Sequence, residues 1–288
     1  MFRCARVLPC LVVLAFVASC AKGNDNEPPV ATPSVSVNHD RVPIGSPLKM
    51  TYTFQVADNA KIDGDYSVFV HVLDPDGERL WGDDHAPPVP TSQWKPGQKV
   101  EYTRTVFVPN YPYIGEARVR VGLYSTQSGK RLPLNAADLS RREYQLAKFQ
   151  LLPQSENIFL IYKDGWHPAE VAADNPASEW QWTKKTATLS FRNPKKDALF
   201  YIEYDARVDL FTPPQQVTVK VGEHTIGTFA ADARERKLIT FPITATQLGT
   251  GDMASIVIDV DRTFTPSSTG GDTRELGIRV FHAFVDPR

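Results

Sequence analysis

Pro47–Val56 reads PLKMTYTFQV. Leu48, Met50, Tyr52, Phe54 and Val56 fall on one side of an extended chain. Lys49, Thr51, Thr53 and Gln55 fall on the other. Side chains alternate between faces along a strand, so this pattern describes a strand with one face in a core and one in water. A helix would scatter the same apolar residues around its circumference. Downstream, Tyr66–Asp74 (YSVFVHVLD) is apolar on both faces and reads as a central strand. Pro75–Glu78 (PDGE) is a hairpin turn with Asp76-Gly77 at its tip. Lys99–Val108 (KVEYTRTVFV) and Ala117–Ser125 (ARVRVGLYS) alternate again, and Gln127–Leu132 (QSGKRL) turns into another short strand. Strands at this spacing, separated by Gly, Pro and Asp, predict an antiparallel immunoglobulin- or fibronectin-like sandwich over residues 34–152.

A break at Leu151–Asn157 (LLPQSEN) precedes a second series of strands. The clearest are Thr186–Asn193 (TATLSFRN), Leu199–Leu210 (LFYIEYDARVDL), Gln215–Gly222 (QQVTVKVG), Lys237–Ile243 (KLITFPI), Ala254–Arg262 (ASIVIDVDR) and Glu275–Phe284 (ELGIRVFHAF). In the third of these, Val217, Val219 and Val221 line one face. About eight or nine strands predict a second sandwich, jelly-roll-like, over residues 153–288. The fold expected is therefore all-β, two antiparallel sandwiches in tandem. Only Ala136–Leu139 and Ala169–Ala173 hint at short helical turns.

The chain opens MFRCARVLPCLVVLAFVASC. Arg3 and Arg6 precede an apolar run from Val7 to Ala18, broken by Pro9. That run is shorter than the roughly 20 residues of a spanning helix, so residues 1–19 read as a signal peptide outside the fold. Val17-Ala18-Ser19-Cys20 resembles the lipobox of bacterial lipoproteins. The resemblance implies that the Cys20 thiol carries a diacylglycerol and that cleavage before it leaves an acylated terminus. The alternative is an ordinary secretory signal with Cys20 as a free thiol. The other two cysteines, Cys4 and Cys10, lie in the signal, so the mature chain has no partner for a disulfide. Ala21 after the cysteine implies, for a Gram-negative host, the outer membrane. Residues 20–33 are polar and proline-bearing and read as a flexible tether. Net charge is −1 with no basic block, which argues against nucleic acid as a partner.

Phe69–Leu134 resembles a β-sandwich module appended to bacterial membrane glycosyltransferases of the mannosyltransferase-like type. The matching elements are DPDG (Asp74–Gly77), PTSQWKPG (Pro90–Gly97), GEARVRVGLY (Gly115–Tyr124) and GKRLP (Gly129–Pro133). GWHPAE (Gly165–Glu170), WQWT (Trp180–Thr183), RNP (Arg192–Pro194) and DVDRTFTP with RELGIRVF look like a second module. Such modules accompany glycosyltransferases and envelope polysaccharide proteins. The resemblance is to accessory modules, so it implies a non-catalytic envelope lipoprotein that contacts glycan in surface-polysaccharide handling. The alternatives are an envelope protein-interaction scaffold, or an unrecognised glycan-active enzyme.

Three places carry candidate chemistry. Asp83-Asp84-His85 precedes a proline-rich run. It reads as a loop cap in which an aspartate accepts backbone N–H groups, with Trp94 folded over an end of the sandwich. A metal site and an acid pair are its other readings. His71, between Phe69 and Leu73 on a strand face, reads as a core histidine. In the second half, Trp166, Trp180 and Trp182, with Glu170, Asp174, Asn175 and Glu179 between them, would make a sugar platform if exposed, because ring faces meet the C–H faces of a pyranose. Plugs of the sandwich are the bland alternative. Asp259, Asp261 and Asp272, near the loop Ser267–Asp272, are candidates for a structural Ca²⁺. Ion pairs of Asp261 with Arg274, or of Arg262 with Glu275, are the competing reading there.

Overall fold

The computed structural model describes residues 27–175, 178–266 and 271–288. The expected signal peptide, the lipobox-like stretch ending at Cys20, and residues 176–177 and 267–270 lie outside them. The chain is all-β, with ten strands in each half among the described residues. The first half contains β1 (Ala31–Val37), β2 (Arg41–Pro43), β3 (Pro47–Val56), β4 (Ser67–Leu73), β5 (Arg79–Gly82), β6 (Lys99–Phe107), β7 (Gly115–Tyr124), β8 (Arg131–Leu132), β9 (Asp138–Ser140) and β10 (Glu143–Leu152). One sheet runs β1-β3-β6 and the facing sheet β2-β10-β7-β4-β5, with β8 on β7 and β9 on β10. The described strand ladders of this half are antiparallel except that of β2 with β10, and the isolated bridge of Ala31 with Leu134 is parallel too. The N-terminal segment thus contributes β1 to one sheet and β2 to the other, as in an immunoglobulin-type sandwich. In β3, the alternation predicted at Pro47–Val56 holds: Leu48, Met50, Tyr52, Phe54 and Val56 are buried. They meet Val68, Val70 and Val72 of β4 and Val119, Val121 and Leu123 of β7 in one core.

The last residues of the expected tether, 20–33, belong to the fold. Val30 is buried, and Ala31–Pro33 already pair with β3. A strand forms there because Ala31, Pro33 and Val35 face inward while Thr32 and Ser34 face water. The two helical hints also fail. Asp138–Ser140 is β9 and Glu170–Val171 is a strand of the second half, each held by an antiparallel neighbour.

The second half contains β11 (Leu160–Tyr162), β12 (Glu170–Val171), β13 (Glu179–Trp182), β14 (Thr186–Arg192), β15 (Ala198–Asp205), β16 (Gln216–Val221), β17 (His224–Ala230), β18 (Lys237–Ile243), β19 (Met253–Val260) and β20 (Arg279–Pro287). Its sheets run β11-β14-β19-β16-β17 and β12-β13-β20-β15-β18. From β13 onward the strands follow the order of a jelly roll, with β11 and β12 added at two edges. Phe200, Ile202 and Tyr204 of β15 meet Val217, Val219, Ile256 and Ile258 in a core that shares no residue with the first. One short helix, α1 (Ala245–Leu248), begins with a capping box between Thr244 and Gln247. No helix among the described residues is long and apolar enough to cross a membrane.

Candidate functional site

The junction between the sandwiches is built around β20. This strand lies between β13 and β15. Val280 and Val285 point into the core. A register shift opposite Glu203/Tyr204 leaves Phe281 as an extra residue in the pairing with β15. Such a bulge re-aims side chains. Here it turns two consecutive residues, Phe281 and His282, toward the same outer space. The His282 ring lies parallel to Phe107, at the end of β6, with centroids 4.3 Å apart and planes 11° apart. Its Nδ1 is 2.7 Å from Glu203 Oε2. The connecting segment is fastened to the first sandwich by Asn157, whose Nδ2 donates to Ile44 O at 2.7 Å.

Between these parts lies a cleft of about 940 Å³. Its second-sandwich wall carries the rings of Phe281, His282, Phe284 and Tyr162, and the carboxylate of Glu179. Asn110, Gln154 and Asn157 bring amides from the first sandwich and the connection. Phe159 stands at this cleft 80% exposed and Tyr162 39% exposed. Ring faces beside amide and carboxylate groups offer both contacts a sugar needs: apolar surface for C–H faces and hydrogen-bond partners for hydroxyls.

None of the three tryptophans lines this cleft. Trp182 is buried, while Trp166 and Trp180 are half-buried. Trp180 and Trp182 do share a strand face, but the guanidinium of Arg279 lies 4.9 Å from one ring and 5.7 Å from the other. Arg279 is held there by two hydrogen bonds to Asp205 on β15. The pair therefore forms a cation–π stack and not an open platform. Trp180 also packs on Phe281, with centroids 6.0 Å apart, and so supports the cleft wall from behind. Trp166 donates from Nε1 to Thr188 O at 2.9 Å and meets Tyr162 edge-on. Gly165 makes that seat possible. Its φ is +84°, and a Cβ there would stand 1.8 Å from Thr186 O.

The polar residues expected to serve those rings are dispersed. Glu170 pairs with Arg274. Asp174 and Asn175 are exposed and belong to the turn before β13. Glu179 alone reaches the cleft. The Ca²⁺ candidates do not converge. Asp259 accepts from Thr186 Oγ1 at 2.9 Å, Asp261 accepts the Gln216 N–H at 2.8 Å, and Asp272 binds Arg274 through both oxygens. That arginine holds the Asp272 carboxyl down at about 2. Among the described residues, no three acidic, histidine or cysteine side chains form a metal-binding group. The ion pairs expected here are also rearranged: Arg274 takes Asp272 and Glu170 in place of Asp261, and Arg262 takes Asp261 in place of Glu275.

The first-half cluster is a loop cap. Asp84 Oδ1 accepts the Val70 N–H at 3.1 Å, and Asp83 holds Arg104 by bonds of 2.7 and 2.8 Å. His85 contacts Asp83 O and Tyr102 OH at 2.7 and 2.8 Å. Burial raises the phenol pKa values of Tyr52 and Tyr102 beside it and lowers that of the His85 imidazole. Trp94 closes the end of the sandwich against Phe54, at 5.1 Å. His71 is not in the core. It lies half-buried on the outer face of β4, against Phe69 and 3.8 Å from Glu143.

Sequence reading missed Phe281, His282, Tyr162, Phe159, Asn110 and Asn157. The run of aromatics in VFHAF was the available signal, but its strand pairing was not. No family model and no curated protein matches the chain. Among solved structures, Bacteroides uniformis beta-glucuronidase is similar over 89% of this chain and 30% of its own, with TM-score 0.30 and 10% identity. The CBM51-2 and INT domains from Clostridium perfringens ZmpB match over 88% and 41%, with TM-score 0.25 and 10% identity. Salmonella alpha-2-macroglobulin reacted with methylamine matches over 89% and 15%, with TM-score 0.25 and 12% identity. The chain spans less than half the length of each of these neighbours.

Proposed function

We propose that this chain is a lipid-anchored protein of the bacterial envelope that binds glycan, without cleaving it, in the cleft between its two sandwiches. The observation that carries the reading is the wall formed by Tyr162, Phe281, His282 and Phe284 beside Glu179 and the amides of Asn110 and Asn157. The lipobox at Val17–Cys20 supports the anchor and the export that goes with it, to the outer membrane in a Gram-negative host. A glycan-array screen of the Cys20→Ser protein, followed by titration with the best ligand, tests the cleft. Tyr162→Ala and Phe281→Ala should each weaken binding by about 1–3 kcal/mol, the range of a lost binding hot spot. No retained glycan, or binding indifferent to both substitutions, overturns the glycan reading. Phe159, at 80% exposure, favours a second reading, a docking site for another envelope protein. Under that reading, the array is blank and Phe159→Ser abolishes capture of the partner.

A further inference from the structure

The hairpin joining β9 to β10 holds an unfavourable backbone. Arg141 and Arg142 both have positive φ, 53° and 61°. Tight turns of this hand favour Asn-Gly, because glycine has no Cβ to clash and the short asparagine side chain bonds locally, yet two arginines occupy this one. The turn is held from beneath. Both oxygens of Asp138 accept the Arg142 N–H, at 3.0 and 3.1 Å, and Arg131 donates to Arg141 O at 2.9 Å. Its outward side is different in character. Leu139 is 50% exposed, and Arg141, also exposed, makes no ion pair among the described residues. An apolar side chain beside an unpaired cation at a fixed turn matches the boundary between acyl chains and lipid headgroups.

The first described residues run beside the same hairpin. Glu27 pairs with Arg142 at 2.9 Å, and the Val30 N–H donates to Pro133 O at 2.9 Å. Six residues lie between Cys20 and Glu27, so the seven Cα steps reach at most about 25 Å. A lipid on Cys20 therefore keeps this turn near the bilayer. From the hairpin, β10 runs ten residues to Leu152, a rise of about 33 Å, and ends at the junction with the cleft.

We propose that the β9–β10 hairpin seats the first sandwich on an anionic bilayer, with Leu139 at the headgroup boundary and Arg141 on lipid phosphates. The proposal rests on the lipid anchor at Cys20. It orients the protein, since the cleft then lies at the far end of β10 from the membrane. The test uses the full chain in vesicles of phosphatidylethanolamine and phosphatidylglycerol. Leu139→Cys, labelled with an environment-sensitive dye, reports contact through quenching by nitroxide-bearing lipids. Met253→Cys, an exposed position on the second sandwich, is the reference. The Leu139 probe should be quenched several-fold more than the Met253 probe. Arg141→Glu, or vesicles without phosphatidylglycerol, should reduce that difference. Equal quenching at the two positions, or quenching indifferent to both changes, overturns the proposal. Alkyne fatty-acid labelling reads the anchor separately. Equal labelling of wild type and Cys20→Ser overturns the anchor and the proposal with it. Label lost in Cys20→Ser, together with an unquenched Leu139 probe, overturns the hairpin contact alone.

Discussion

Each sandwich sets a phenylalanine on the outer face of a sheet and lays an arginine over it, with opposite results. In the first, Phe69 of β4 faces Gly122 of β7 and lies across it; a Cβ on that glycine would come within 2.3 Å of the ring. Arg131 sits 4.4 Å above the ring and Tyr124 closes its edge, leaving it 2% exposed. In the second, Arg236 sits 4.0 Å from Phe281, but the bulge in β20 turns this ring into the cleft. An arginine lid on an aromatic is therefore neutral as to function. What lies on the ring's other side decides whether the residue is structure or surface.

The sharpest test of this contrast is truncation of the two rings. Phe69→Ala should cost about 3–5 kcal/mol, the range for a large buried side chain, with the loss confined to the first sandwich. Phe281→Ala, whose ring keeps one side in the cleft, should cost about 1 kcal/mol or less, in the range of ordinary surface substitutions. Urea denaturation followed by hydrogen exchange assigns each loss to its core. Equal costs would mean that Phe281 is as closed as Phe69.

A smaller effect is expected at the cap. Asp84→Ala leaves the Val70 N–H at the sheet edge without its acceptor and should cost about 1–2 kcal/mol. The change should appear in the first sandwich only and leave glycan binding intact. A stoichiometric metal lost with the side chain would instead make the cluster a metal site.

The gentlest test uses pH. Burial holds the His85 imidazole below its usual value of 6.5, and His71 shifts the same way for the same reason. Below that pH the unfolded chain binds protons that the folded chain refuses, so stability rises with pH through this window and is lost as pH falls from 7 toward 5. The urea midpoint of the first sandwich should drop over that interval. His85→Asn combined with His71→Gln should flatten the dependence. An unchanged slope in the double variant would assign the titration elsewhere.

The sequence by itself determined the long alternating strands and the faces they bury. The alternation in Pro47–Val56 and in Gln215–Gly222 is enough, because one face of each strand must leave water and a period of two admits no other geometry. It also determined that Trp180 and Trp182 share a face. It did not determine what covers that face, since Arg279 comes from a strand almost a hundred positions away. Tertiary structure alone decided the cleft. In IRVFHAFV, strict alternation sends Phe281 and His282 to opposite faces, and only the unequal pairing of β20 with β15 sets both outward. It likewise decided that Val30 and Ala31 belong to the fold: they are short of apolar area on their own and join the core because β3 and the segment at Pro133–Leu134 are there to receive them. Local pattern fixes which side of a strand is dry. Bulges, edge partners and long-range lids depend on pairings between segments that the linear order does not contain.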